Sequence, residues 1–207
     1  MDHKKTVRDG YNAIAVQYLE ARAKKSANTL LLEDFMQKLP AKAHLLDAGC
    51  GAGIPVAKIL SERFDVTGVD FSEAQIELAK KNVPNATFIC QDMTQLEYPA
   101  NSFDGICSFY AIIHIPREEH RALLGNFYRM LKLKGVALLC LGAEDLPDDI
   151  EEDFHGQRMY WSHYDIATYQ SMLKEIGFNI LVAKIVPDET YDGRHLFVLV
   201  QKENSQK

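Results

Sequence analysis

Residues Leu45-Leu46-Asp47-Ala48-Gly49-Cys50-Gly51-Ala52-Gly53 constrain the fold of this chain more than any other stretch. An apolar run ends in an acid, and three glycines follow at alternate positions. The helical pattern Ile54-Pro55-Val56-Ala57-Lys58-Ile59-Leu60 comes next. This order predicts a strand, a tight turn and a helix start. With no Cβ to block it, the backbone at Gly49, Gly51 and Gly53 can approach a ligand closely. The helix behind is expected to aim unpaired N–H groups at an anionic group. Together these features predict a nucleotide-like ligand at the end of the first strand of an open α/β sheet.

From Ala43 onward, strand and helix patterns alternate. Strands are expected at 43–47, 65–70, 87–90, 103–108 and 136–141. Helices are expected at about 53–62, at 73–81 with Ser72 as cap, and after Pro116, with Leu123, Leu124, Phe127, Met130 and Leu131 on the apolar face. Strands apolar on both faces and alternating with helices predict a parallel sheet covered on both sides. The runs 178–185 and 195–200 are joined by too short a loop for a crossover helix, so they should be antiparallel.

Two helices precede this core. One covers 6–23, where Tyr11, Ile14, Ala15, Tyr18, Leu19 and Arg22 recur at helical spacing. The other runs from a cap at Asn28-Thr29 to Leu39, and Pro40 stops it. The acidic run 144–153 reads as a solvated, mobile loop. An aromatic cluster follows at Tyr160, Trp161, His163 and Tyr164, with Ser162 as the expected N-cap of the last helix. The 207 residues suit one domain: a helical cap over 1–40, a ligand-binding core over 41–142, an insertion over 143–163, and a closing helix and hairpin over 164–207.

The glycine spacing selects among nucleotide sites. A dinucleotide fingerprint needs G-x-G-x-x-G, and its third glycine would fall at Ile54. Asp47, just before the turn, would repel a pyrophosphate and attract an ammonium group. A P-loop is absent, since no Gly-Lys-Ser/Thr follows. The pattern Leu-Leu-Asp-Ala-Gly-Cys-Gly-Ala-Gly instead resembles the first motif of the class I S-adenosylmethionine-dependent methyltransferases. Further matches follow in order: Val69-Asp70-Phe71-Ser72, Gln91-Asp92-Met93, Phe103-Asp104-Gly105-Ile106 through His114, and Leu131 to Val136. The likeness is to the small-molecule (type 11/25-like) branch. It implies an α/β, Rossmann-like, doubly wound seven-stranded sheet of order 3-2-1-4-5-7-6, with the last strand antiparallel and two extra N-terminal helices. The competing readings are a non-catalytic S-adenosylmethionine-binding or scaffolding protein of the same fold and, disfavoured by the glycine spacing, a nicotinamide-dependent oxidoreductase.

The resemblance also implies a site. Gly49, Cys50, Gly51 and Gly53 hold the methionine part, with Asp47 on the ammonium. Asp70, at a strand end beside the sheet's switch point, can accept hydrogens from the ribose hydroxyls. Phe71 and Ser72 follow it, with Phe71 on the adenine face. Gln91 and Asp92 come after the third strand; Asp92 takes the adenine amino group, and Met93 offers its backbone N–H. Ser108 and Phe109 supply backbone contacts. Tyr11 and Tyr18, on the leading helix, close over the cofactor, with Tyr11 near its methionine end. His114 and Tyr11 are the catalytic candidates, His114 as a general base. Tyr110, His114, Tyr160, Trp161 and His163 are candidates for the acceptor side. The expected cofactor is S-adenosyl-L-methionine, with S-adenosyl-L-homocysteine as product. No metal is expected, because the acids of 144–153 lack calcium-loop spacing.

A net charge of −6 argues against a nucleic-acid surface. No apolar run is long enough to span a membrane, and no signal-peptide core follows Met1. Cys50, Cys90, Cys107 and Cys140 lack CxxC spacing and read as reduced residues of a cytoplasmic protein. The expected partner is a small-molecule methyl acceptor, bound by a monomer or homodimer.

Overall fold

The sheet begins where the glycine turn places it. In a computed structural model that describes residues 2–22, 29–188 and 193–203, β1 (His44–Ala48) runs into the turn and α3 (Val56–Leu60) follows. The chain then alternates through β2 (Asp65–Asp70), α4 (Glu73–Asn82), β3 (Thr87–Cys90), β4 (Phe103–Ser108), α5 (His120–Met130) and β5 (Leu131–Gly142). Two helices come first, α1 (His3–Arg22) and α2 (Thr29–Met36). A hairpin of β6 (Leu146–Phe154) and β7 (Gln157–His163), then α6 (Ile166–Ile176), β8 (Phe178–Pro187) and β9 (Arg194–Lys202), complete the fold. The expected cap at Asn28 lies outside the described residues.

The main sheet has seven strands in the order β3-β2-β1-β4-β5-β9-β8. This is the expected order once the hairpin strands β6 and β7 are counted. β1 pairs parallel with β2 and β4, and β9 runs antiparallel to both β5 and β8. The order reverses beside β1, which opens a crevice at the strands' C-terminal ends. One face is covered by α2, α3 and α4 through Phe35, Val56, Leu60 and Ile76. The other is covered by α5 and α6 through Leu123, Phe127, Tyr169 and Leu173. At β4 the chain needs a glycine for close packing: a Cβ on Gly105 would come within 2.8 Å of Phe35 and Leu39.

Three expectations are corrected. The helix expected over 53–62 is only α3, because the turn continues through Ile54 and Pro55. Five residues whose N-cap is a proline, which has no N–H, do not form the expected anion-binding helix start. The acidic run is a strand, β6, paired antiparallel with β7. Its acids face solvent while Phe154, with Met159 and Tyr160 of β7, packs on Val7, Tyr11 and Ile14 of α1. Ser162 does not cap α6, because β7 runs through it. Asp165 does, accepting from Thr168 N–H at 2.8 Å. No helix of the described residues is long and apolar enough to cross a membrane.

Candidate active site

A cavity lies at the C-terminal ends of β1, β2 and β4, with α1 forming its outer wall. Polar contacts hold that wall. Asn12 Oδ1 accepts from Ser72 Oγ at 2.6 Å and from Ala74 N–H at 3.1 Å. Lys4 Nζ donates to Thr94 Oγ1 at 2.8 Å and meets Asp92 Oδ2 at 3.2 Å.

The three glycines of the turn have positive φ, at 77°, 52° and 77°, but do different things. A Cβ on Gly49 would sit 2.2 Å from the Ala111 Cβ and 2.9 Å from the Met93 methyl, so this glycine lets the loop after β4 close on β1. A Cβ on Gly51 would project beside the cavity, with Gln75 Oε1 at 3.8 Å. A Cβ on Gly53 would press on Val83 and Phe88 at 3.1 and 3.3 Å, behind the site. The N–H groups of Gly49 and Cys50 both go to Val69 O, at 2.8 and 2.9 Å.

Two carboxyls flank the turn, Asp47 buried and Asp70 half-buried. Asp47 is 1% exposed; Oδ1 accepts from the Cys107 thiol at 3.5 Å, and Oδ2 has no partner. Burial pushes Asp47 up to about 7, and the nearby Asp70 adds to the shift. Asp70 accepts Gly51 N–H through Oδ2 and Ser72 N–H through Oδ1, both at 2.9 Å. Burial pushes it up to about 6, against the pull of these N–H groups. Asp92 caps a short 3-10 turn, with Oδ1 accepting from Thr94 N–H and Thr94 Oγ1 at 2.8 Å each.

At the other end stand Tyr11, Tyr18, Tyr110 and His114, together with Arg22. The Tyr11 hydroxyl and His114 Nε2 are 2.8 Å apart, and His114 Nδ1 lies 2.8 Å from the Tyr160 carbonyl oxygen. A carbonyl only accepts, so Nδ1 carries the hydrogen and Nε2 accepts from the Tyr11 O–H. Burial pushes His114 down to about 4, so the ring is neutral at pH 7. Tyr110 holds φ 54°, uncommon for an aromatic residue. The Arg22 guanidinium lies 3.9 Å from the Tyr110 ring centroid and pairs with Asp188 at 3.0 Å.

Of the residues expected to hold the cofactor, Tyr11, Tyr18, Asp47, Gly49, Cys50, Gly51, Asp70, Phe71, Gln91, Asp92, Met93 and Phe109 line the cavity. Gly53 lies behind it. Ser72 is buried as the α4 cap, and Ser108 is buried with its hydroxyl donating to Ala48 O at 2.7 Å. On the acceptor side Tyr110 and His114 line the cavity, whereas Tyr160, Trp161 and His163 do not. They sit in β7, which packs against α1 rather than roofing the site. Tyr160 supports the site through its backbone carbonyl. The Trp161 ring lies 5.3 Å from that of His114, and His163 Nδ1 meets the Glu144 carbonyl. Sequence reasoning missed Lys4, Arg22 and Gln75 as lining residues. Arg22 carried a signal, being one turn beyond Tyr18 on the same helix face. Among the described residues no cluster of three His, Cys, Asp or Glu side chains is arranged to hold a metal ion.

A family model described as a methyltransferase domain matches residues 45–135. Phosphoethanolamine N-methyltransferase 1 of Arabidopsis thaliana is 32% identical over 167 residues, covering 76% of this chain and 33% of that protein. Trans-aconitate 2-methyltransferase of Enterobacter sp. (strain 638) is 36% identical over 113 residues, covering 54% of this chain and 42% of that protein. The chain thus spans well under half the length of these relatives. Among solved structures, magnesium protoporphyrin IX methyltransferase from Synechocystis PCC 6803, with bound S-adenosylmethionine, superposes with a TM-score of 0.73. It is 18% identical, and 98% of each chain is covered.

Proposed function

This chain belongs to the class I S-adenosylmethionine-dependent methyltransferases, and we propose that it transfers a methyl group from that cofactor to a small-molecule acceptor. The observation that carries the reading is the unpartnered, buried Oδ2 of Asp47 at a glycine turn. A buried carboxylate oxygen without a donor is costly, and a ligand ammonium group is a donor it can take. The rest of the site fits the same cofactor. Each Asp70 oxygen accepts one backbone N–H, and a carboxylate oxygen has a second lone pair for a ribose hydroxyl. Gly51 leaves its side of the cavity open to the ligand.

When bound, the cofactor supplies a methyl group already activated on a sulfonium, so the protein's part is orientation and exclusion of water. Tyr11, on α1, brings its hydroxyl oxygen to the cavity, and His114 Nε2 fixes the direction of its proton. With that hydroxyl hydrogen directed at His114 Nε2, the lone pairs of Tyr11 Oη can accept an N–H or O–H of the acceptor. His114 is neutral and adds no positive charge beside a sulfonium. A base of pKa about 4 is too weak to deprotonate a hydroxyl ahead of attack. In this reading the pair positions the acceptor, and His114 serves as the hydrogen-bond acceptor of Tyr11 rather than as the general base expected from the sequence. The relatives named for phosphoethanolamine and trans-aconitate act on small molecules, which supports an acceptor of that size.

The test is release of S-adenosylhomocysteine from S-adenosylmethionine over a panel of small amines, acids and phenols. Turnover with at least one acceptor class, absent without acceptor, is expected. Cofactor binding with no turnover on any acceptor would favour the non-catalytic reading.

A further inference from the structure

Ser72 and Gln75 have the spacing of a reciprocal capping box. There the cap serine accepts the N–H of the third helical residue, whose side chain accepts the N–H of the serine. Only half of the box forms. Ser72 Oγ accepts from Gln75 N–H at 3.2 Å, but the Ser72 N–H donates to Asp70 Oδ1 at 2.9 Å. Asp70 has taken the partner that the Gln75 side chain would have had. Gln75 is left 2% exposed, its Oε1 has no hydrogen-bond partner, and it lines the cavity. Its Oε1 stands 3.8 Å from where Gly51 would carry a Cβ, and Gly51 N–H is bound to the other Asp70 oxygen. Gln75, Gly51 and Asp70 thus meet at one wall, beside the end of β2.

We infer that Gln75 is a further cofactor-binding residue, whose carboxamide takes a ribose hydroxyl alongside Asp70. The inference rests on the cofactor proposed above. A carboxylate accepts only, whereas a carboxamide both accepts and donates. The pair therefore suits two neighbouring hydroxyls, one bound mainly by Asp70 and the other by Gln75. In the unliganded protein Oε1 lacks a partner because a ligand is to supply it, and the loss of half the helix cap leaves the carboxamide available for that contact.

Calorimetry with S-adenosylhomocysteine and its 2′-deoxy and 3′-deoxy analogues tests this on the wild type, Gln75→Met and Gln75→Glu. Gln75→Met keeps the length of the side chain and removes its polar atoms. It should weaken S-adenosylhomocysteine binding by about 3- to 30-fold, as loss of one buried hydrogen bond does. One deoxy analogue should bind this variant no worse than it binds the wild type. Gln75→Glu, which sets a second acid beside Asp70, should also bind the full ligand more weakly. Without ligand, Gln75→Met should melt no lower than the wild type, because an unpartnered buried oxygen has gone. A lower melting temperature would mean that Gln75 serves the helix, and would overturn the inference. Unchanged affinity for S-adenosylhomocysteine, or an equal loss with both deoxy analogues, would overturn it too while leaving the cofactor reading intact. A wild type that binds none of these compounds would remove both.

Discussion

Gly49→Ala is expected to destabilise the protein by about 2–5 kcal/mol, the sum of left-handed strain and overpacking. At φ 77° the new Cβ would lie 2.2 Å from the Ala111 Cβ, and both atoms are held by backbone. Relief requires β1 and the loop after β4 to part, and that loop carries Phe109, Tyr110 and His114. Gly51→Ala is the contrasting variant. Its Cβ meets only ordinary contact with Gln75 Oε1 at 3.8 Å, so the stability cost is left-handed strain, about 1–2 kcal/mol. Its methyl group stands at the cavity wall, so ligand binding should suffer more than folding. Thermal melts and calorimetry on the two variants check this. Gly49→Ala should lower the melting temperature by roughly 5–15 °C, on the usual conversion for a domain of this size. A Gly49→Ala protein as stable as the wild type would contradict the packing described for the turn.

Tyr11→Phe is expected to lower kcat by about 100-fold once an acceptor is known, the scale of loss when a bound reactant is misplaced by about 1 Å. His114→Gln should do the same, and the double variant should be no worse than either, because the two side chains act through one hydrogen bond of 2.8 Å. Affinity for S-adenosylhomocysteine should change little in Tyr11→Phe. The variant should be less stable by about 1–3 kcal/mol, since His114 Nε2 is left buried without a donor. Steady-state kinetics on the three variants decide the matter. Losses that multiply would show that Tyr11 and His114 work independently. An unchanged kcat in Tyr11→Phe would reduce the pair to a structural contact between α1 and the loop after β4.

Much of this fold is local and therefore legible in the sequence. The glycine turn, the strands apolar on both faces and the short gap before the last strand each have a direct physical meaning. The strand order came from the resemblance, which the turn itself prompted. What was hidden depends on partners far away in the chain. The run Glu144 to Asp153 has the composition of a loop, and only pairing with β7 makes it a strand. Phe154, Met159 and Tyr160 then pack on α1, so aromatics that looked like an acceptor roof form a buttress for that helix. Ser162 and Asp165 are equally good caps by type; the extent of β7 decides between them. Lys4 matched no motif, and Gln75 matched only the capping-box spacing after Ser72. Lys4 reaches the site because α1 lies across it. Gln75 does so because Asp70, five residues earlier, has taken its partner.

The central claim is that the glycine turn and its flanking acids hold S-adenosylmethionine by its amino-acid and ribose ends. Calorimetry at pH 7 with S-adenosylhomocysteine and with NAD, repeated in two buffers of different ionisation enthalpy, tests it directly. Burial raises the Asp47 carboxyl to about 7 in the unliganded protein, so part of its population carries a proton at pH 7. An ammonium group at Oδ2 favours the charged form and lowers that pKa. Binding of S-adenosylhomocysteine with net proton release, and no heat with NAD, is the result predicted. Heat with NAD and none with S-adenosylhomocysteine would contradict it.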